Sequence, residues 1–477
     1  MNRPIRRVAV VVMLMFGLLF ANVTFNVVFR TESLNAQPQN RRVRDAEFAQ
    51  DRGSILAGTT EIATTTPVRD RFKYLRTYPQ GELYAPVTGF YSYDHARSGL
   101  ESSYNTQLAG TDDSLFVRRM IDLVTNRTPK GASVETTINP DAQRAAAKAL
   151  GDQKGAVVAI DPQTGAILAM VTSPSYDPNK IASHDIEAAG KAYQRLATAK
   201  NHPMANRAAR EIYPPGSTFK LVTAAAALEA GKTPDSKVKS PTRLKLPGTQ
   251  TYLGNESNCG GQQITLQHAL EVSCNTAFAN LGLELGADKL RDQANKFGFD
   301  ARHLSDLGGA ASKFPENPDR SQTALSAIGQ FDVAASPLQM AMVTAAIAND
   351  GVLMDPYIVS VVRAPDLKPL QTTKPKELSQ PMTADNAKAL QKMMVGVVNN
   401  GTGTTARIPG VEVGGKTGTA QSDLKRKPFA WFTSYATSGD RQVAVAVVVE
   451  DADIPRQDIA GGRVAAPIAK AVMKAVL

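Results

Sequence analysis

Cysteine is scarce in this chain, which contains two, Cys259 and Cys274, among 477 residues. Neither has further metal-ligating residues at a suitable spacing, and no cofactor-binding motif occurs elsewhere. The sequence therefore predicts neither a metal site nor a bound cofactor. With 43% hydrophobic and 21% charged residues, the composition is that of an ordinary globular protein, long enough for two or three domains.

Aromatic residues are also few, at 6% of the chain, although the net charge is +10. Such a charge can indicate nucleic-acid binding, but the sequence has no recognition-helix, zinc-finger or stacking-aromatic motif. We therefore predict no nucleic-acid partner and assign the charge to a solvated surface beside anionic lipids and polymers.

Histidine is equally sparse, and none of the five residues lies in a motif that indicates catalysis. The five are His95, His184, His202, His268 and His303. No G-x-S-x-G sequence occurs either, so a hydrolase based on serine, histidine and a carboxylate has little support. We expect all five histidines to be structural or exposed.

A long uncharged apolar run occurs at residues 8–29, and arginines precede it within the first seven residues. A run of this length can cross a bilayer. A cleaved signal peptide is the alternative, but the run is longer than a usual signal core and no small-residue cleavage site follows it. We expect a cytoplasmic tail at 1–7, a single-pass anchor in the cell membrane at 8–29 and an extracytoplasmic remainder, although arginines at 30–44 weaken the charge contrast.

The remainder of the chain changes composition near residue 132. Residues 30–131 are polar, with short extended runs and turns, and indicate a small mixed pedestal domain. In residues 132–477, the hairpin signal GAVVAIDPQTGAILAMVT and three C-terminal strand-like runs enclose a mostly helical middle. This pattern predicts an α+β fold in which the terminal strands join one antiparallel sheet. We expect the segment LKPLQTTKPKELSQP to be a surface loop, and the C-terminal AAPIAKAVMKAVL to be a helix on that sheet.

Ser217 and Lys220 lie one turn apart at the start of a helix that is apolar on nearly every face. Pro214-Pro215-Gly216 predicts a tight turn, after which the serine meets the N–H groups and positive dipole end of the helix. An ordinary N-cap serine is the alternative, but it does not explain a lysine inside an apolar helix. Because burial lowers the pKa of lysine, Lys220 can take the proton of Ser217, which would make the serine a nucleophile.

Two further motifs follow in order along the chain. Ser273-Cys274-Asn275 begins 56 residues after Ser217, and Lys416-Thr417-Gly418-Thr419 begins 143 residues after Ser273. The Lys-Thr-Gly sequence occurs once, whereas the other two patterns recur and are weak evidence when taken singly. We interpret the recurrences as coincidental: Ser236/Lys239, Ser422/Lys425, Ser33/Asn35 and Ser103/Asn105.

The ordered trio of motifs resembles the signature of the penicillin-binding proteins and serine β-lactamases. From about residue 134 onward, segments such as NNGTGTTARIPGVEVGGKTGTAQ are similar to transpeptidase domains, and DRGSIL and SGLESSYNTQLAG resemble the pedestal of class B penicillin-binding proteins. Within that class the resemblance is strongest to the penicillin-binding protein A group of actinobacteria. It implies a five-stranded antiparallel sheet with helices on both faces, plus an all-helical region.

The resemblance also implies a role for each motif residue. The implied catalytic residues are Ser217 as nucleophile, Lys220 as general base, Ser273 as proton relay and Asn275, which would position Lys220 and the substrate amide. The implied residues for binding the substrate carboxylate or a β-lactam are Lys416, Thr417, Gly418 and Thr419. The backbone N–H groups of Ser217 and Thr419 would form the oxyanion hole.

The function implied is that of a peptidoglycan D,D-transpeptidase, which cross-links stem peptides through a serine acyl-enzyme and is inhibited by β-lactams. A D,D-carboxypeptidase or β-lactamase with the same catalytic residues is the alternative. A β-lactam sensor would need a cytoplasmic effector, which seven N-terminal residues cannot supply. Expected partners are peptidoglycan stem peptides, β-lactams and a glycosyltransferase or other protein of the division or elongation machinery.

The two cysteines are predicted to form a disulfide. An extracytoplasmic domain lies in an oxidising compartment, and the glycines of GNESNCGGQQ would let Cys259 approach Cys274 across a short helix. A small buried side chain at Cys274 with an incidental Cys259 is the alternative. A disulfide here would restrain the loop that carries Ser273 and Asn275.

Overall fold

The computed structural model describes residues 3–35, 41–125, 129–421 and 426–477. Its N-terminal helix α1 (Arg3–Phe25) continues through a π-helical turn (Asn26–Arg30). The continuous segment Arg3–Arg30 contains an 18-residue window with a mean hydropathy of 2.4, and this window is not buried against the rest of the protein. This helix is therefore a candidate membrane span by length and composition, at the position where the sequence predicted an anchor.

The part of the chain that precedes the central sheet consists of short elements. Its further helices are α2 (Thr31–Asn35), α3 (Arg41–Phe48), α4 (Ala85–Thr88), α5 (Gly99–Ser103), α6 (Asn105–Leu108) and α7 (Phe116–Val124), with 3₁₀ turns at Gly81–Leu83 and Asp113–Leu115. Its strands are β1 (Ile55–Ala57), β2 (Thr60–Pro67), β3 (Tyr74–Thr77) and β4 (Ser133–Thr136).

The larger C-terminal part alternates strands at its two ends with helices between them. Its helices are α8 (Pro140–Leu150), α9 (Asn179–Ala182), α10 (Ile186–Ala197), α11 (Lys220–Glu229), α12 (Leu266–Glu271), α13 (Asn275–Leu285), α14 (Ala287–Lys296), α15 (Arg320–Ser326), α16 (Pro337–Ala348), α17 (Ala384–Asn399) and α18 (Gly461–Val476), with 3₁₀ turns at Gly216–Phe219, Ser305–Leu307, Thr404–Ala406 and Arg456–Asp458. Its strands are β5 (Gly155–Ile160), β6 (Ile167–Ser173), β7 (Lys237–Lys239), β8 (Arg243–Lys245), β9 (Tyr252–Gly254), β10 (Gln263–Thr265), β11 (Leu353–Met354), β12 (Val359–Arg363), β13 (Pro369–Thr372), β14 (Glu377–Ser379), β15 (Glu412–Ala420), β16 (Phe429–Ser438) and β17 (Arg441–Val449).

Within the described residues, the central sheet has five antiparallel strands in the order β15-β16-β17-β5-β6. Both faces are covered because side chains alternate along each strand. On β17, Val443, Val445 and Val447 pack with α8 and α18, whereas Ala444 and Ala446 face the core formed with α11 and α16. The predicted α+β fold, with the hairpin β5–β6, three C-terminal strands and the C-terminal helix on the sheet, is confirmed.

The central helix α11 is buried at every position except its last residue, Glu229. An apolar helix without a polar face is stable only inside a domain, and here α13, α14 and α17 pack around it. The helix therefore places Lys220, its first residue, in the interior of the protein rather than at the surface.

The second large sheet crosses the predicted boundary between pedestal and C-terminal domain. Its strand order is β13-β12-β4-β1-β2-β3, in which β1 and β4 are parallel and the other neighbours are antiparallel. The strands β12 and β13 come from residues more than 220 positions after β4 in the chain. The boundary at residue 131 stays a prediction, because this sheet combines segments from both sides of it.

The segment LKPLQTTKPKELSQP was expected to be a surface loop, and that expectation is wrong in part. Residues Pro369–Thr372 form β13 at the edge of the pedestal sheet, and Glu377–Ser379 form β14, which pairs with β11. Most of these side chains are exposed, so the composition is that of a loop. The strands form because their backbone groups find partners in distant segments, which a local composition does not indicate.

Candidate active site

Ser217 lies in the 3₁₀ turn Gly216–Phe219, directly before α11. The turn is held by three hydrogen bonds: the Gly216 N–H donates to the Gly329 carbonyl (3.0 Å), the Trp431 indole to the Pro214 carbonyl (3.0 Å), and the Thr218 hydroxyl to the Pro215 carbonyl (2.7 Å). Gly216 has φ +52°, which an L side chain rarely adopts. Among the described residues, the Ser217 hydroxyl has no hydrogen-bond partner, and Ser217 lines an open cleft.

Lys220 is completely buried beneath that cleft. Its Nζ donates to the Ser273 carbonyl (2.7 Å) and to Asn275 Oδ1 (2.7 Å), and it lies 3.2 Å from Ser273 Oγ. Ser273 has φ +57° and Asn275 is the first residue of α13. This sharp turn points both the carbonyl and the side chain of Ser273 at the amine, so the first two motifs meet at Lys220.

Lys416 is also completely buried, and it reaches the same hydroxyl from the opposite side. Its Nζ donates to Ser273 Oγ (2.8 Å) and to the Thr417 carbonyl (3.0 Å). The Ser273 hydroxyl therefore joins two lysines that are 196 positions apart in the sequence. The three motifs form one continuous hydrogen-bonded cluster.

The two amines share burial and like charge, and both lose basicity. Burial and the neighbouring ammonium of Lys416 hold the pKa of Lys220 well below its usual value, with the carboxylate of Glu256 acting in the opposite direction. Burial lowers the pKa of Lys416 to about 7, and Glu256 again opposes the shift. A neutral Lys220 has two N–H groups, which match its two 2.7 Å acceptors, and its lone pair remains available for a proton.

The edge strand β15 places the remaining motif residues along the cleft. Thr417 and Thr419 line it, and the Thr417 hydroxyl is hydrogen-bonded to that of Thr402 (2.6 Å). A Cβ at Gly418 would lie 2.9 Å from the Pro215 carbonyl and 3.0 Å from Thr218 Cγ2. The glycine therefore lets β15 approach the turn that carries Ser217.

The cleft has a volume of about 390 Å³ and includes residues that the motifs did not indicate. Those additional residues are Glu256, Ser257, Val272, Thr402, Thr405, Ala460, Gly461, Gly462 and Arg463. Glu256 and Arg463 carry charge, so they bear directly on which molecules can enter. No local pattern marks either residue; Glu256 could have been found only as the acidic residue three positions before Cys259 in the loop predicted to approach Cys274.

Cys259 and Cys274 are joined by a disulfide, as the sequence predicted. Their Cα atoms are 5.6 Å apart, and both side chains are buried. The bond links the loop after β9 to the residue between Ser273 and Asn275. It therefore restrains the segment that holds the amine of Lys220.

Other sequence candidates lie elsewhere. Ser236 accepts a hydrogen bond from the Thr233 N–H (2.8 Å), and Lys239 lies exposed on β7, so neither reaches the cleft. Ser422 and Lys425 lie outside the described residues. None of the five histidines lines the cleft within the part of the chain described; His303, for example, is buried against the Gly298 carbonyl (2.7 Å).

Comparisons with known proteins agree with this geometry. Residues 155–474 match the family model of the penicillin-binding protein transpeptidase domain, and residues 52–134 match that of the penicillin-binding protein A dimerisation domain. The chain is 43% identical over 489 residues to the peptidoglycan D,D-transpeptidase PbpA of Mycolicibacterium smegmatis, covering 100% of this chain and 99% of the relative. The PbpA of Mycobacterium tuberculosis is 42% identical with the same coverage.

The solved structures that match the chain have the same fold. The ceftriaxone acyl-enzyme complex of penicillin-binding protein A from M. tuberculosis superimposes with a TM-score of 0.88 at 42% identity, covering 91% of this chain and 100% of that chain. The penicillin G acyl-enzyme complex of the same protein gives 0.85, covering 89% and 99%. With its serine and two lysines around one cleft and a family model that spans two thirds of its length, the chain belongs to the penicillin-binding protein transpeptidase family.

Proposed function

We propose that the protein is a peptidoglycan D,D-transpeptidase that works through an acyl-enzyme on Ser217. The observation that carries the proposal is the cluster in which Lys220, Ser273 and Lys416 are hydrogen-bonded beside a nucleophile without a competing partner. The names of the relatives and the β-lactam acyl-enzymes of the matched structures support it.

In the first half-reaction, Ser217 Oγ attacks the carbonyl carbon of the penultimate D-alanine of a stem peptide. Lys220 takes the hydroxyl proton as the C–O bond forms. The backbone N–H groups of Ser217 and Thr419 stabilise the oxyanion, and removing one such donor typically costs about 10²–10³ in rate. The proton then passes through Ser273 to the leaving amine, and the terminal D-alanine departs.

Substrate binding falls to the other members of the cluster. The ammonium of Lys416 and the hydroxyls of Thr417 and Thr419 hold the terminal carboxylate, which β-lactams also carry. Asn275 positions Lys220 through the 2.7 Å hydrogen bond. Gly418 permits the close approach that brings these groups to Ser217.

In the second half-reaction, an acceptor amine of another stem peptide attacks the acyl carbon. The new C–N bond replaces the bond to Ser217 Oγ, and an amine proton returns to that oxygen through Lys220. Attack by water at the same carbon would instead give the carboxypeptidase or β-lactamase reaction, so acceptor choice separates the two.

The test is an assay of nucleophile choice. The chain is incubated with a D-Ala-D-Ala depsipeptide, with and without an amine acceptor, and the products are separated by mass. Aminolysis in preference to hydrolysis is expected. Hydrolysis alone would instead support the carboxypeptidase, and rapid turnover of penicillin would support the β-lactamase.

The organisation proposed with this function is a cytoplasmic tail (1–7), a membrane anchor (8–29), a pedestal (30–131) and a transpeptidase domain (132–477) outside the cytoplasm. The apolar helix α1 and the two family matches support it. A glycosyltransferase or another division or elongation protein is the proposed partner. Protease digestion of intact spheroplasts tests the topology: residues 132–477 should be degraded from outside.

A further inference from the structure

We propose that Glu256 is the acceptor-binding residue of the cleft, which selects a cationic amine over water as the nucleophile that releases the acyl group. This inference rests on the proposed transpeptidase function. It concerns the second half-reaction, whereas the motif residues account for the first.

Glu256 lines the same cleft as Ser217, Ser273 and Thr419. Its side chain is exposed, and no hydrogen bond or ion pair to its carboxylate occurs within residues 3–35, 41–125, 129–421 and 426–477. A carboxylate without a partner at the rim of a reaction cleft is available to a ligand. The negative charge of Glu256 also acts on the two buried lysines, because it opposes the lowering of the pKa of Lys220 and Lys416 by burial.

The loop that carries Glu256 is attached on both sides of it. Before it, Asn255 Oδ1 accepts a hydrogen bond from the Thr276 N–H (2.9 Å) and Asn255 Nδ2 donates to the Thr276 hydroxyl (3.0 Å). After it, the Ser257 hydroxyl donates to the Val272 carbonyl (3.3 Å), and Cys259 forms the disulfide. The carboxylate is therefore held beside the segment that carries Ser273 rather than displayed on a free loop.

The position of Glu256 is important because of the other charged groups around the cleft. Arg463 lines the cleft and pairs with Asp458 (2.7 Å), and the amine of Lys416 lies beneath the cleft, so the cations near the acyl-serine do not attract a cationic acceptor. Among the described residues that line the cleft, Glu256 is the one carboxylate. Water carries no charge and gains nothing from it. An attraction confined to the ammonium therefore changes the ratio of aminolysis to hydrolysis.

The proton balance requires no base at Glu256. The acceptor ammonium is held by the carboxylate and loses one proton to solvent; the ordinary pKa of an α-ammonium group is about 8. The neutral amine then attacks, and its nitrogen becomes positively charged again as the C–N bond forms, so the carboxylate stabilises the step that makes the amide. The C–Oγ bond breaks, and a second amine proton passes through Lys220 to Ser217 Oγ.

The experiment compares two nucleophiles on one acyl-enzyme. The full chain in detergent micelles is given a depsipeptide with either D-alaninamide, a cationic amine, or methanol, an uncharged nucleophile, and the ratio of transfer to hydrolysis is measured for each. In Glu256→Gln the amine ratio should fall about threefold to fivefold, as expected for one exposed ion pair. The methanol ratio should stay unchanged. Acylation by benzylpenicillin is measured separately, because Glu256 also acts on the pKa of Lys220 and Lys416.

Glu284→Gln is the matched control. Glu284 lies on α13, where it pairs with Lys232 (2.7 Å) and does not line the cleft, so both ratios should equal those of the wild type. Added salt should reduce the amine ratio of the wild type and leave that of Glu256→Gln nearly constant.

Each contrary outcome has a distinct meaning. Equal losses for amine and methanol would show that Glu256 acts through the lysines and would overturn the proposal. A rise in the amine ratio would show that Glu256 activates water, and an unchanged ratio that it plays no part. Absence of transfer by the wild type to either nucleophile would overturn the transpeptidase itself, and the acceptor site with it.

Discussion

The molecule contains two clusters of buried ionisable side chains, one in the pedestal and one beneath the cleft. The neighbouring groups stabilise the charged form in the first cluster and the neutral form in the second. In the pedestal, Glu101 lies between Arg52 and Arg76, with Nε to carboxylate distances of 2.6 Å on each side. Although burial alone would raise it, the guanidinium groups of Arg76 and Arg52 hold the pKa of Glu101 below its usual value. Beneath the cleft, Lys220 and Lys416 share a neutral hydroxyl, and the pKa of each falls.

The difference shows what decides whether a buried ionisable group is structural or reactive. An opposite charge within hydrogen-bonding distance stabilises one protonation state, so the Glu101 cluster is a permanent ionic contact among segments of the pedestal. A like charge beside a buried amine destabilises the protonated state, so protons can move at neutral pH. The predictions that follow test this contrast.

The largest effect is expected for Ser217→Ala. Covalent labelling by a fluorescent penicillin should be lost completely, because the variant lacks the one hydroxyl that becomes acylated. The melting temperature should remain that of the wild type, since Ser217 Oγ bonds to none of the described residues. Ser236→Ala, in the coincidental motif, should label normally; labelling that survives in Ser217→Ala would remove Ser217 as the nucleophile.

The variant Lys220→Arg places in the active site a guanidinium group, the cation found in the pedestal cluster. A guanidinium cannot lose its proton in a protein, so it cannot accept the proton of Ser217. Acylation by penicillin should slow by about 10²–10⁴, the usual contribution of a general base. Stopped-flow labelling measures the rate, with Lys239→Arg as the control. An acylation rate near that of the wild type would exclude Lys220 as the base.

Glu101→Gln tests the pedestal cluster. The amide leaves two buried guanidinium groups without a counter-charge, which typically costs about 3–5 kcal/mol. Urea denaturation should show this loss, while the folded fraction still labels with penicillin. Glu47→Gln, in the more exposed pair with Arg97 (2.7 Å), should change stability by no more than about 1 kcal/mol. Equal losses in the two variants would contradict the contrast.

The cluster beneath the cleft is held by the Cys259–Cys274 disulfide, whereas the pedestal cluster is held by opposite charges. Replacing Cys259 and Cys274 together by alanine should cost about 3 kcal/mol in the chain-entropy model for a loop of this size. Acylation should also slow, because Ser273 and Asn275 lose the restraint on their loop. Thiol titration of the denatured, unreduced chain checks the bond itself: no free thiols are expected, and two would refute it.

The smallest effect is the pH dependence of acylation. Lys220 must be neutral to accept a proton, so kcat/KM should rise with pH through its strongly lowered pKa. Lys416 must be charged to hold a carboxylate, so kcat/KM should fall above its pKa of about 7. The expected profile is a bell whose alkaline limb falls about tenfold per pH unit. Lys416→Arg should remove that limb, since arginine remains charged.

The lowered pKa values of Lys220 and Lys416 also affect how the stability of the fold depends on pH. Both lysines have lower pKa values folded than unfolded, so the unfolded chain binds more protons at pH values between the folded pKa and about 10.4. Stability should therefore increase with pH across this window as far as these two groups are concerned. This cost at lower pH arises because the protein buries both amines, which disfavours their protonated forms.

Much of the site followed from residue order because the chemistry requires particular side chains. The spacing of Ser217 to Lys220 places both on one helix face, and a lysine in an apolar helix could be recognised from the sequence. Local signals also predicted the hairpin β5–β6 and the C-terminal helix α18.

The amino-acid order alone predicted the reactive groups, the disulfide pair and the class of fold, since these depend on residue type and short spacing. The tertiary structure decided which distant groups meet: Lys416 on Ser273 Oγ, Gly418 against Pro215, Glu256 over the cleft, and β13 on the pedestal sheet. Such contacts join segments that are tens to hundreds of residues apart, so they arise only when the chain packs, and no local pattern encodes them.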